Sequence, residues 1–298
     1  MFAAAGGDTY IQRGTTKNIM FPSSRTKWPS ATPAEARHKR VALYKDAVVF
    51  VALVVGILMM GANEDGKGVG KENDDVVYPS PALAFALCGF MLFSLGSDLF
   101  LLPAPRRTSP TWNTISIIGH PAFFTMQTLF LQTAFALLKW WSFWTENAPL
   151  ATVMFKISLW VDTQGIALTL LFFKLNWFEK KWQRDIQTPM EKDYPSISTV
   201  WLVGHVISFP VALLDALFLC PPAMMKVHGA SLYAVVQIAF AYGFGYLLWA
   251  KFVEWRYNTL IYPFLADIDN WAKSLGFVIV VGTAVSAMAW VVSVVSYV

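Results

Sequence analysis

The chain contains 298 residues and carries a net charge of +4, with 56% hydrophobic and only 14% charged residues, and its mean hydropathy is +0.47. This balance lies outside the range of soluble proteins and predicts an integral membrane protein surrounded by membrane lipids. The modest charge, without a long basic block, argues against nucleic-acid binding. Cys88 and Cys220 are the two cysteines, too few for a disulfide framework or a zinc site, and no residue pattern indicates a metal or a cofactor.

Residues 1–43 are polar and rich in Ser, Thr and Pro, and we expect them to form a disordered tail. The tail lacks the apolar stretch of a secretory signal peptide. Its only acids are Asp8 and Glu35, against seven Lys and Arg residues. Because mitochondrial transit segments are poor in acids and rich in Ser and Arg, a mitochondrial inner-membrane location stays open beside a cytosolic tail.

Seven apolar segments follow the tail, and each is close to the roughly 17–25 residues that a membrane-spanning helix needs. The segments lie near 44–62, 82–102, 117–138, 150–174, 198–220, 230–250 and 274–297. The fourth is the least regular, since Lys156 and Asp162 interrupt it. Between segments lie Pro103, Pro105, Pro110, Pro221 and Pro222, where they end helices without breaking them. Residues 44–298 are therefore predicted to form an all-α, polytopic transmembrane helix bundle of about seven spans.

The loop charges predict the orientation of this bundle. Lys and Arg are concentrated before the first segment and in the second, fourth and sixth connections. The alternate connections are expected to contain only Lys67, Lys71, Lys139 and Lys226. The positive-inside rule then places the N-terminus in the cytosol. The third and fifth segments both run from inside to outside in this arrangement.

Two polar side chains lie at matching depth in the third and fifth segments. Thr125 and His205 each follow the start of their segment by about seven residues, or roughly 10 Å along a helix. Histidine within a membrane span is rare and indicates a functional site. A hydroxyl at the same depth suggests a nucleophile and its base. An interhelical hydrogen bond or a step in a proton pathway would also explain the two residues.

Each of the two residues belongs to a polar stripe along one face of its helix. The stripes consist of Thr125, Thr128 and Gln132 on the third segment and of His205, Ser208, Ala212 and Asp215 on the fifth. Polar stripes on apolar helices face each other or a shared cavity, and not lipid. The pattern therefore predicts that the two helices pack through these faces.

A nucleophile and base also need an orienting group and donors for the oxyanion. Asp98, in the second segment, and Asp162, in the fourth, are candidates for the orienting acid. Asp162 could equally pair with Lys156 or line a polar cavity. Candidate oxyanion donors or substrate contacts are Gln127, Gln132, Gln164, Tyr246 and Tyr262.

Several short motifs follow one another in the C-terminal hundred residues. Residues 245–249 read GYLLW, residues 261–265 read IYPFL, and His205 precedes Pro210 by five residues. In this order and spacing they resemble the androgen-induced protein 1 family, which includes the androgen-dependent TFPI-regulating protein. The helix that carries Thr125 is similar to the threonine helix of that family.

The resemblance covers roughly residues 82–298 and implies an integral-membrane hydrolase of the endoplasmic reticulum or plasma membrane. Members of the family cleave fatty acid esters of hydroxy fatty acids with a threonine nucleophile and a histidine. By this resemblance, Thr125 would be the nucleophile and His205 the base. The segment 44–62 and the polar tail are additions relative to the family. The family's second histidine, three residues before His205, has no counterpart here.

Two other functions fit parts of the pattern. The chain could be a non-catalytic subunit of a larger membrane complex, or a proton-coupled transporter with Asp98, Asp162 and His205 as its relay. A retinal protein is excluded, because the last segment contains no lysine after Lys273 to attach the chromophore. Only the hydrolase requires the hydroxyl of Thr125.

Overall fold

The structure is a computed structural model that describes residues 78–97, 123–180, 183–188, 191, 197–257, 261 and 270–297. Within these residues the chain is all-helical and contains no strand. The helices are α1 (Pro81–Gly96), α2 (Phe124–Trp144), α3 (Ala148–Phe172), α4 (Ile197–Val206), α5 (Ser208–Leu214), α6 (Pro222–His228), α7 (Leu232–Tyr257) and α8 (Trp271–Tyr297). Short π-helical turns lie at Phe173–Trp177, Gln183–Gln187 and Asp215–Leu219. The predicted tail and the segment 44–62 lie outside the described residues.

Among the residues that the structure describes, three helical stretches are long and apolar enough to cross a membrane, namely Ser198–Leu219, Leu232–Arg256 and Ala272–Val294. They correspond to the last three predicted segments. Helix α1 is also apolar but has only 16 residues. Helices α2 and α3, with 21 and 25 residues, occupy the third and fourth predicted segments. Both carry many buried polar side chains, so their polar groups are shielded by neighbouring helices.

Local sequence signals explain where several helices begin and end. The Asn147 side chain accepts a hydrogen bond from the backbone N–H of Leu150 at 3.0 Å and caps the start of α3. The helical stretch of the fifth segment is interrupted at Ile207, between α4 and α5. Pro210 accounts for this break, because it lacks the N–H that would bond to the carbonyl four residues earlier. His205 therefore lies near the end of α4, two residues before the break at Ile207.

Helix α3 is the centre of the bundle. It packs against α2, α4, α5, α7 and α8, and its residues 158–169 are all buried. A helix that is buried on every side has no lipid-facing stripe, so its polar residues can be satisfied only by other helices. This position places Asp162 and Gln164 in the interior of the protein.

Lys139 was predicted to lie in a connection between helices, but the structure places it within α2. Helix α2 continues to Trp144, and the Lys139 side chain lies inside the bundle with 1% of its surface exposed. The sequence pattern suggested a boundary at this residue because a charged side chain usually ends an apolar segment. Here the charge is neutralised by Asp215 on the neighbouring π-helical turn, at 2.5 Å.

Candidate active site

The structure brings Thr125 and His205 into hydrogen-bond contact. Thr125 is the second residue of α2 and His205 lies in the last turn of α4. The distance between Thr125 Oγ1 and His205 Nε2 is 2.9 Å. This distance is within the range that proton transfer between a nucleophile and its base requires.

A second contact determines which nitrogen of His205 carries the proton. His205 Nδ1 lies 2.7 Å from the backbone carbonyl oxygen of Trp201. Because a carbonyl only accepts hydrogen bonds, Nδ1 is the protonated nitrogen of the neutral imidazole. Nε2 therefore accepts the hydrogen bond that the Thr125 hydroxyl donates. This is the tautomer that a general base needs.

Neighbouring helices hold the imidazole and its backbone in place. The Phe172 ring stacks on His205 with a centroid distance of 4.0 Å and an interplanar angle of 22°. The Thr169 hydroxyl donates to the His205 carbonyl at 2.5 Å, and the Ser94 hydroxyl donates to the Gly204 carbonyl at 3.3 Å. Contacts from α1 and α3 thus fix the end of α4 before the break at Ile207.

Thr125 and His205 open into a cavity of about 100 Å³ between α3, α7 and α8. Its walls are mostly apolar and include Leu168, Phe240 and Val281. A cavity with apolar walls and a few polar groups at one end suits a ligand with a hydrocarbon chain. The polar end is the one that contains the threonine and the histidine.

Tyr246 and Gln164 also line this cavity. The backbone N–H of Phe124 donates to the Tyr246 hydroxyl at 2.9 Å, and the two rings meet edge to face at 5.2 Å. These contacts place the phenol at the start of α2, beside Thr125. The first N–H groups of an α-helix have no acceptor within the helix and bind anions well. The beginning of α2 thus places the Thr125 hydroxyl beside groups that can donate hydrogen bonds to an anion.

Two other predicted oxyanion donors or substrate contacts, Gln127 and Gln132, do not line the cavity of Thr125. Gln127 is buried but does not line the Thr125 cavity, and Gln132 lines a second, smaller cavity. Asp98 and Tyr262 lie outside the described residues. Of the predicted donors that the structure describes, Gln164 and Tyr246 are the ones that line the cavity of Thr125.

Asp162 is not placed beside His205. It lines the second cavity together with Lys139 and Asp215. The alternative in which Asp162 lines a polar cavity is thus the one observed. The group that orients His205 is the Trp201 carbonyl, four residues earlier on the same helix. Every residue offers such a carbonyl, so no sequence signal marks this one.

Lys139 is the centre of a buried polar cluster. Its ammonium donates to Asp215 Oδ2 at 2.5 Å, to Ser158 Oγ at 3.3 Å and to Cys220 Sγ at 3.3 Å. This cluster was not predicted, although the sequence contains a signal for it. Lys139 follows Gln132 by seven residues, as Gln132 follows Thr125, and therefore extends the same polar stripe by two turns.

The cluster contains donor atoms that could hold a metal ion, because Asp162, Asp215 and Cys220 offer ligand atoms within 4.8 Å of one another. The Lys139 ammonium, however, already bonds to Asp215 and Cys220. It takes the place of a cation among these groups, and the residues fit an internal ion pair better than a metal site.

Comparisons of the chain with family models, with curated proteins and with solved structures find no match.

Proposed function

We propose that the protein is an integral-membrane hydrolase that cleaves fatty acid esters of hydroxy fatty acids through an acyl-threonine intermediate. The observation that carries the proposal is the 2.9 Å contact between the Thr125 hydroxyl and His205 Nε2. The Trp201 carbonyl supports it by holding the proton on Nδ1. A threonine hydroxyl that only satisfied its own helix would need no imidazole partner.

Acylation would use the proton of the Thr125 hydroxyl. His205 Nε2 accepts this proton while Oγ1 attacks the carbonyl carbon of the ester. The tetrahedral intermediate then collapses and expels the alkoxide of the hydroxy fatty acid. The alkoxide takes the proton from Nε2, which leaves the acyl group on Thr125 and a neutral imidazole.

Deacylation would repeat these steps with water. His205 Nε2 accepts a proton from water as the water oxygen attacks the acyl-threonine carbonyl. Collapse of the second intermediate releases the fatty acid and returns the proton to Thr125 Oγ1. In both steps the oxyanion would accept hydrogen bonds from Tyr246, Gln164 or the first-turn N–H groups of α2.

The shape of the cavity supports a lipid substrate. Its apolar walls belong to α3, α7 and α8, of which α7 and α8 are long and apolar enough to cross a membrane. An acyl chain dissolved in the bilayer could therefore enter sideways between helices, with its ester group at Thr125. The same proposal includes the seven-span topology, the cytosolic N-terminus, the location in the endoplasmic reticulum or plasma membrane, and membership of the family that the sequence resembles.

The transporter hypothesis has less support in the described residues. Asp162 and His205, two members of its relay, line different cavities. The hypothesis of a non-catalytic subunit depends on neither Thr125 nor Asp162 and assigns no chemistry to the contact between Thr125 and His205. We therefore favour the hydrolase.

The test is labelling of the detergent-solubilised chain with a fluorophosphonate probe, which reacts with activated hydroxyl nucleophiles. The wild-type chain should be labelled on Thr125, as located by peptide mass mapping, and Thr125→Ala and His205→Ala should abolish labelling. Matched controls are Thr133→Ala and His228→Ala, which remove a buried threonine and a histidine away from the cavity. Labelling that persists in Thr125→Ala, or a folded wild type that is never labelled, would contradict the proposal.

A further inference from the structure

A second cavity lies between α2, α3 and the π-helical turn after α5. Its volume is about 10 Å³, and its polar lining consists of Gln132, Lys139, Asp162 and Asp215. A space of this size holds about one water molecule when two or more polar groups face it. The cavity thus has both the size and the chemistry of a buried water site.

Gln132 provides the second, independent sign of a ligand. Its side chain is only 3% exposed, and Oε1 has no hydrogen-bond partner among the described residues. An unpaired acceptor in the interior is costly, so such groups usually bind an ordered water. Lys139 does not donate a hydrogen bond to Gln132, because its ammonium already donates to Ser158, Asp215 and Cys220.

Water is the ligand that matches these groups. The cavity offers the Gln132 carbonyl oxygen and two carboxyl groups, all of which accept hydrogen bonds. A water molecule could donate one proton to Gln132 Oε1 and the other to a carboxylate oxygen. A metal ion would have to displace the ammonium of Lys139, whereas a water molecule need not.

Two further unpartnered groups lie on α2 and α5, near the Thr125–His205 pair in sequence. The hydroxyls of Thr128 and Ser208 are fully buried and have no partner among the described residues. Each lies one helical turn after a member of the pair, Thr128 after Thr125 and Ser208 after His205. We call Thr128, Gln132 and Ser208 the polar path.

Helix α3 contributes to both cavities through residues that are two positions apart. Asp162 lines the small cavity and Gln164 lines the cavity of Thr125. Gly165 lets the polar path approach α3, because a Cβ atom at this position would lie 1.9 Å from Gln132 Nε2 and 3.1 Å from the Ser208 carbonyl oxygen. The Gln132 side chain and the Ser208 backbone can both lie against α3 here only because residue 165 has no side chain.

We propose that the small cavity holds an exchangeable water molecule and that the polar path carries water from it to His205 for deacylation. This inference rests on the proposed hydrolase. After acylation the acyl chain would fill the apolar cavity, and the surrounding lipid excludes water. Lys139 lies five residues before the end of α2, or about 8 Å along the helix, so water can enter from that end of the bundle.

The water site can be tested without activity by X-ray hydroxyl-radical footprinting of the solubilised protein. A bound water generates radicals in place and oxidises the side chains around it. Leu219 lines the cavity, and Leu159, equally buried at 1% exposure, does not. We expect at least fivefold faster oxidation of Leu219 than of Leu159, and loss of the difference in Gln132→Leu. Equal rates in the wild type would overturn the water site.

The role of the path can be tested by separating acylation from deacylation with a chromogenic ester. In Gln132→Leu the burst that reports acylation should keep its amplitude, while steady-state turnover falls at least tenfold. Thr133→Val, one residue further along α2, is the control.

Two results would overturn this role. Unchanged turnover in Gln132→Leu would show that deacylation does not need the path, and a parallel loss of burst and turnover would indicate a general structural effect. A wild type that oxidises Leu219 but shows neither burst nor probe labelling would retain the water site. The proposed hydrolase would then fail separately.

Discussion

The ring of Phe240 packs in the space that the missing side chain of Gly282 leaves free. A Cβ atom at Gly282 would lie 2.4 Å from the nearest carbon of the Phe240 ring, well inside van der Waals contact. Both residues line the cavity of Thr125 and His205. This contact between α7 and α8 therefore sets the position of one wall of the proposed acyl site.

Gly282→Val should narrow the acyl site, because the ring of Phe240 must move away from the new side chain and into the cavity. We expect the ratio of kcat/KM for long-chain over short-chain esters to fall about tenfold or more, as for a pocket that loses space for one or two methylenes. Phe240→Ala should shift the ratio in the opposite direction. Gly276→Ala is the control, since no atom lies within 4 Å of its Cβ position. If all variants had the same ratio of kcat/KM, the contact between Phe240 and Gly282 would not form part of the acyl site.

For the buried ion pair of Lys139 and Asp215, replacing one member should lower the free energy of unfolding more than replacing both. Lys139→Met leaves the Asp215 carboxylate without its partner and should lower the free energy of unfolding by about 3–5 kcal/mol. The double variant Lys139→Met/Asp215→Leu should recover most of the loss, because the carboxylate that lost its partner is then removed as well. Thermal unfolding in detergent measures both effects.

A matched control for this prediction is the pair of Lys251 and Glu254, at 3.1 Å with side chains 12% and 24% exposed. Lys251→Met should change the free energy of unfolding by no more than about 1 kcal/mol. If Lys139→Met were as mild as Lys251→Met, the buried pair would not be needed for folding.

The proposed role of Thr125 depends on its hydroxyl and not on its volume. Thr125→Ser keeps the hydroxyl and should retain probe labelling and turnover within about an order of magnitude. Thr125→Val keeps the volume but replaces the hydroxyl by a methyl group, and turnover should fall at least about 10³-fold. Steady-state assay of the two variants in parallel separates chemistry from packing. Retained turnover in Thr125→Val would show that another group attacks the ester.

The sequence predicted contact between Thr125 and His205 because polar stripes on apolar helices face each other. The predicted equal depth is not what the structure shows, since Thr125 is the second residue of α2 and His205 is the ninth residue of α4. The long apolar helices were predictable because length and hydropathy are local properties.

Other features depend on tertiary contacts that a single sequence does not reveal. Lys139 indicated a connection because an isolated lysine is rarely buried, and only the position of Asp215 makes its burial favourable. Asp162 was a reasonable orienting acid, but the Trp201 carbonyl takes this role. The need for glycine at position 165 can be recognised only in the structure, where the Gln132 side chain occupies the space of its missing Cβ atom.

Tyr246 is the side chain by which the oxyanion proposal can be tested most directly. Its hydroxyl accepts a hydrogen bond from the Phe124 N–H at 2.9 Å and lines the cavity beside Thr125. Tyr246→Phe should lower kcat about 10²-fold with little change in KM, because an oxyanion donor acts in the transition state and not on the bound ester. A purely structural tyrosine would instead lower the melting temperature and leave kcat of the folded fraction intact. Tyr233→Phe, on the same helix but 71% exposed, is the control. An unchanged kcat in Tyr246→Phe would leave Gln164 and the first-turn N–H groups of α2 as the oxyanion donors.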